Sequence, residues 1–149
     1  MNEQKKRDIE VFRYELWWGG LMLPNFSYFA RVLRVIDGDT FLLDVDLGFH
    51  VHITEKIRLL GVNTPEKFGV KKESDEYKAG MAASQWVMDQ FGVSFDPKGC
   101  PINTDVDVRI LTSKDKQGKY GRYLATLYVG DDTESINTKL IHMGFGAEY

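Results

Sequence analysis

The chain has one cysteine, three histidines, no excess of positive charge and no long apolar run. With Cys100 alone no internal disulfide can form, so the fold must be held by its core, and a reducing compartment suits it. Cys100 lies in Pro97-Lys-Gly-Cys-Pro101 with no histidine near it in sequence, which argues against a thiol nucleophile. His50 and His52 alternate along one segment, but no cysteine or third histidine joins them to make a zinc set. They read as surface strand residues, and His142 as a cation near a helix C-terminus. The apolar run Leu16 to Leu23 is too short to cross a bilayer. Charged residues separate it from Lys5-Lys6-Arg7 and no small-x-small cleavage site follows, so a secretory leader is not expected. The expectation is a cytoplasmic, monomeric protein without membrane contact, with an N-terminal extension over residues 1–26.

A net charge of −3 withholds the broad basic surface that a phosphate polymer favours. Its distribution is uneven, because between Arg109 and Arg122 only Asp115 opposes Arg109, Lys114, Lys116, Lys119 and Arg122. A local basic patch and a solvated loop are equally good readings of that segment.

What is present fits one domain, since 149 residues with 43% apolar content can bury a core without staples. Aromatic and β-branched residues from Tyr28 to Ile36 predict a strand, and Asp37-Gly38 a turn. Phe41, Leu43, Val45 and Leu47 alternate with Thr40, Leu42, Asp44 and Asp46, the clearest strand pattern in the chain. After Gly48, Val51 to Val62 reads as a third strand, with Leu47-Gly-Phe-His50 projecting as a hairpin.

Ser74 is a candidate N-cap, with Asp75 and Glu76 suited to a first turn. Ala79, Ala82, Ala83, Trp86, Val87, Gln90 and Phe91 then recur at helical spacing. Val106–Ile110 and Tyr123–Val129 read as strands, and Thr133 as the cap of a last helix ending at Gly144. Three strands, a helix, two strands and a helix predict an α+β, mainly β chain. The architecture expected is a five-stranded oligonucleotide/oligosaccharide-binding (OB-fold) barrel with two to three packed helices.

Three pieces carry chemistry. Asp37-Gly-Asp-Thr40 offers a carboxylate at a strand end, although the same run is an ordinary hairpin turn. Arg58-Leu-Leu-Gly-Val-Asn-Thr-Pro-Glu66 brings a guanidinium suited to phosphate and, behind the stiffening Pro65, a glutamate. Tyr120-Gly-Arg122 adds a second arginine. Oxygen ligands, a base and two arginines are what metal-assisted phosphodiester cleavage requires.

Their order and context resemble the staphylococcal nuclease (thermonuclease-like) family over roughly residues 30–149. The resemblance implies a Ca²⁺-dependent nuclease with little sequence specificity, acting on DNA, with RNA as a second substrate, and leaving 3′-phosphate ends. It assigns Glu66 as general base, Arg58 and Arg122 as phosphate arginines, and Asp39, Asn63 and the Thr64 carbonyl as metal ligands. Lys119, Tyr120 and Tyr149 would bind the nucleic acid, and Asn137 would be structural. The chain departs from the family in three ways: Asn63 replaces a metal-ligating aspartate, the stretch between Asp39 and Arg58 is longer, and the final C-terminal helix is not expected. The rival reading is a catalytically weak or inactive module of the same fold that binds nucleic acid or protein.

Overall fold

The computed structural model describes residues 26–117 and 123–149. The expected extension therefore lies, but for its last residue, outside the described residues. Strands β1 (Phe26–Asp37), β2 (Thr40–Gly48), β3 (Val51–Leu59), β5 (Asp107–Gln117) and β6 (Tyr123–Val129) form a closed barrel in the order β1-β2-β3-β6-β5. Closure needs β1 to pair with β5, at the far end of that order, as well as with β2. β1 pairs with β5 through Phe26 to Arg31 and with β2 through Phe29 to Asp37. Register shifts at Val32/Arg34 and Val35/Asp37 let it bend between them. The other seam is parallel, with Ile57, Arg58 and Leu59 of β3 opposite Tyr123, Leu124 and Ala125 of β6.

The inward rows are apolar, with Phe41, Leu43, Leu59, Ile110 and Leu127 fully buried. Alternation along β2 holds as expected through Val45, but Leu47 is exposed because the hairpin runs past the barrel. The continuous third strand expected from Val51 to Val62 is instead two elements. β3 stops at Leu59, the chain turns at Leu60-Gly61, and Val62–Asn63 (β4) pairs with Ala147–Glu148 (β7). That turn is what carries Asn63 out of the barrel wall.

Helix α1 (Asp75–Gln90) starts at Ser74, whose hydroxyl accepts from Tyr77 N at 3.1 Å, with Asp75 and Glu76 in its first turn. Its buried row is Gly80, Ala83, Ser84 and Val87. Ala79 and Ala82, expected in the apolar stripe, face solvent. The helix end closes on the barrel through Phe91, whose ring meets Phe41 edge-on at 6.4 Å. Helix α2 (Ile136–His142) is capped by Ser135 rather than by Thr133, the hydroxyl accepting from Thr138 N at 3.2 Å. Asn137 is buried, donating to Leu60 O at 2.8 Å and Ala125 O at 3.0 Å and accepting from Leu127 N at 3.1 Å. It ties α2 to the β3–β4 turn and to β6, the structural role expected of it.

Candidate active site

Three ends meet at one rim of the barrel: the end of β1, the start of β2 and the end of β3. The turn between β1 and β2 is pinned from behind, because Leu59 N donates to Asp39 O at 2.8 Å. It is also crowded from the side. A Cβ on Gly38 would lie 2.9 Å from Thr64 Cγ2 and 3.0 Å from Ala83 Cβ, so only glycine lets the turn tuck under β4's exit loop and α1.

Asp39, 5% exposed, is surrounded by donors. Its Oδ2 accepts from Thr64 N at 3.0 Å and from Arg58 Nη2 at 3.4 Å, and its Oδ1 from Thr40 Oγ1 at 3.0 Å. Burial pushes its carboxyl up, but these donors, the Asp37 carboxyl and the Arg58 charge outweigh burial and hold it below the ordinary value. Asp37 is the opposite case. Burial, the proton it shares with Asp39 and the Asp39 charge push it up to about 7, with the Glu66 charge adding to them. Two carboxyls packed together thus hold one proton near neutrality.

Asp37 is a site residue that sequence reasoning missed. Its only local signal was a second carboxylate two positions from Asp39, which reads as turn chemistry until the burial is seen.

Arg58, 9% exposed, spans the site. Its Nη2 also donates to Asn63 Oδ1 at 2.9 Å, a better hydrogen bond than that to Asp39. Nη1 donates to Leu59 O at 3.1 Å, and the guanidinium sits 5.1 Å over the Tyr149 ring. Tyr149 is held beside it by its own backbone, N donating to Gly61 O at 3.0 Å. The expected residues Asp39, Arg58, Asn63, Thr64 and Tyr149 are therefore brought together.

Glu66 lies on the exposed side of the loop leaving β4. The loop rests directly on α1, since a Cβ on Gly80 would lie 2.7 Å from Pro65 O and 3.1 Å from Glu66 O. Lys119, Tyr120 and Arg122 fall outside the described residues. Their flanks, Gln117 and Tyr123, are register partners, and Tyr123 also pairs with Ile57 next to Arg58. Arg109, from the basic segment, is engaged elsewhere, donating to Asp132 O at 2.6 Å and lying over Tyr128.

The site fits a hard cation through its oxygens. Asp37 and Asp39 are paired carboxyls, and the buried Thr64 hydroxyl has no hydrogen-bond partner among the described residues. Such ions accept carbonyl and hydroxyl oxygens and water beside carboxylates. Among the described residues, no group of three or more His, Cys, Asp or Glu side chains stands ready to hold a metal unaided.

A family model described as staphylococcal nuclease homologue matches residues 56–149, which include Arg58, Asn63, Thr64 and Glu66. The chain belongs to this family. Among similar proteins are the thermonuclease of Staphylococcus intermedius, 35% identical over 118 residues, 79% of this chain and 56% of that one. The thermonuclease of Staphylococcus hyicus is 32% identical over 114 residues, 76% of this chain and 55% of that one. An uncharacterised protein of Methanocaldococcus jannaschii is 30% identical over 132 residues, 82% of this chain and 59% of that one. The chain thus spans little more than half the length of these relatives. The closed barrel with its parallel β3–β6 seam is the OB-type architecture expected from the order of strands and helices.

Proposed function

We propose that the protein is a calcium-dependent nuclease that hydrolyses phosphodiester bonds of DNA, and of RNA, with little sequence specificity. The observation that supports this best is the rim cluster itself: a buried Asp37–Asp39 pair with Arg58 spanning Asp39 and Asn63. Residues needed only for a fold would not gather two carboxyls and a cation at a cost in desolvation.

Asp39, Asn63 and Thr64 would hold the ion, with Asp37 beside them. Calcium bound there would supply positive charge against the phosphate oxygens. Glu66, exposed at the loop, takes the proton of the attacking water, whose oxygen bonds to phosphorus as the O5′ leaves. Arg58 and Arg122 pair with the phosphate oxygens as their charge grows. Tyr149 steadies the Arg58 guanidinium from one face, and Lys119 and Tyr120 would hold the neighbouring nucleotide.

The second reading, a binding module without catalysis, is favoured by one observation. Asn63 spends its carbonyl oxygen on Arg58, and it brings no charge to the metal. Cleavage of labelled single-stranded DNA with calcium, with a chelator control and Glu66→Gln protein, separates the two. The nuclease requires calcium-dependent cutting that falls by about 10²-fold or more in the variant, with DNA binding retained. Binding without cutting in calcium, magnesium or manganese overturns it in favour of the module.

A further inference from the structure

We infer that a second, cationic cleft beside the candidate active site holds the sugar–phosphate backbone of single-stranded nucleic acid next to the scissile phosphate. The inference rests on the proposed nuclease reading and extends it to the path of the substrate. A cavity of about 320 Å³ opens between the end of β1, the face of α1 and the loop carrying Lys98. Among the described residues, Arg34, Lys67, Lys72 and Lys98 line it and no carboxylate does, although the chain as a whole carries −3. The nearest acid of the rim loop is turned inward: Asp96 Oδ1 accepts from the backbone N of Lys98 and of Cys100, both at 2.9 Å.

The cations are placed by the fold. Arg34 Nε donates to Lys98 O at 2.8 Å, which fixes the guanidinium stem at the rim. Lys67 lies half-buried with its ammonium 5.7 Å from the Phe68 ring centre. Burial lowers its basicity, the Asp37 charge opposes this, and the adjacent Arg34 charge lowers it further. Cations gathered with no carboxylate among the lining residues repel one another, and an anion entering the cleft relieves that repulsion.

Two features select a nucleic-acid strand over a small anion. Phe68 and Tyr77 also line the cleft, so bases can lie against rings while phosphates meet the cations. The cleft is also continuous with the site through the chain, since Lys67 follows Glu66 and Ile36 precedes Asp37. On this proposal, a strand bound at the scissile position lays its next phosphates over these cations.

The test measures binding of a fluorescein-labelled 12-mer of thymidylate in chelator across a salt series. Lys72→Gln/Lys98→Gln is compared with Lys56→Gln/Lys78→Gln, which removes the same charge outside the cleft. The cleft pair is expected to weaken binding about tenfold at low salt and to flatten the log–log salt slope by about 1.4, while the control pair changes little. Equal affinity and slope in both pairs, or no binding by the wild type, overturns the cleft. Cleavage in calcium is scored separately on the same proteins. A wild type that binds through the cleft without cutting removes the nuclease reading and keeps the cleft. Cutting by a wild type whose binding is unaltered in Lys72→Gln/Lys98→Gln does the reverse.

Discussion

Asp37→Asn should make the metal-free protein about 2 kcal/mol more stable at pH 8 and about 2 kcal/mol less stable at pH 4, where the wild type keeps the proton that asparagine lacks. Asp37 is buried, and its carboxyl is pushed from an ordinary 3.8 to about 7 by burial and by Asp39. A carboxyl raised on folding contributes stability that is fully present below about 4 and is lost as pH rises through about 7. At about 1.4 kcal/mol per pH unit, the gap between 3.8 and about 7 sets a ceiling of about 4 kcal/mol for that loss. Asparagine does not ionise, and its carbonyl can keep the bond that Asp39 N makes to Asp37 Oδ1 at 3.1 Å. It forgoes the proton shared between the two carboxyls, so the expected gain at pH 8 is about 2 kcal/mol rather than the ceiling. Asp39, held low, contributes in the opposite sense, losing stability as pH falls through its own lowered value, so the window between about 4 and 7 reports Asp37. The assay is urea unfolding in chelator at pH 4, 6 and 8 for both proteins. A stability difference that does not change across these values refutes the argument that Asp37 is buried in its neutral form.

Gly80→Ala should cost about 1–3 kcal/mol of stability and lower kcat as well, because its Cβ would lie 2.7 Å from Pro65 O and push the Glu66 loop off α1. Thermal melts and steady-state cleavage check this, and an unchanged kcat would separate the helix contact from the placement of Glu66. Asn137→Ala should destabilise by about 2–4 kcal/mol, since Leu60 O, Ala125 O and Leu127 N lose a buried partner together. A loss below about 1 kcal/mol in denaturant titration would mean that water replaces the side chain readily. Asn63→Asp should tighten calcium binding about tenfold by calorimetry, because it adds a charge to an oxygen ligand set. No tightening would place Asn63 with Arg58 alone, outside the metal's reach.

The strands were legible where one face meets the core and the other solvent. Phe41, Leu43 and Val45 alternate because the barrel wall has two sides, and period two survives in the sequence. The pattern failed at Val62, because a two-residue strand pairing with Ala147–Glu148 leaves no periodicity to read. Ala79 and Ala82 misled for a related reason. Alanine suits either side of a helix, and the face that α1 buries was chosen by the close approach of Gly80 and Ala83 to the turn and loop. In the site, Asp39, Arg58 and Asn63 could be singled out by type and context, but the bond between Arg58 and Asn63 could not.

The sequence by itself determined the order of the five barrel strands and two helices, the start of the first helix at Ser74 and the residues able to serve a phosphate. These depend on periodicity, capping and chemistry within a few positions of the chain. The tertiary structure decided which carboxyl keeps its proton, where Arg58 points and how a basic cleft forms on an acidic protein. Each of those depends on burial and on charges brought from distant segments: Thr64 and Arg58 onto Asp39, Ala83 against Gly38, and Lys98 beside Arg34. Electrostatic energies follow distance through space and the solvent displaced from between the charges, and neither is written in the order of residues along the chain.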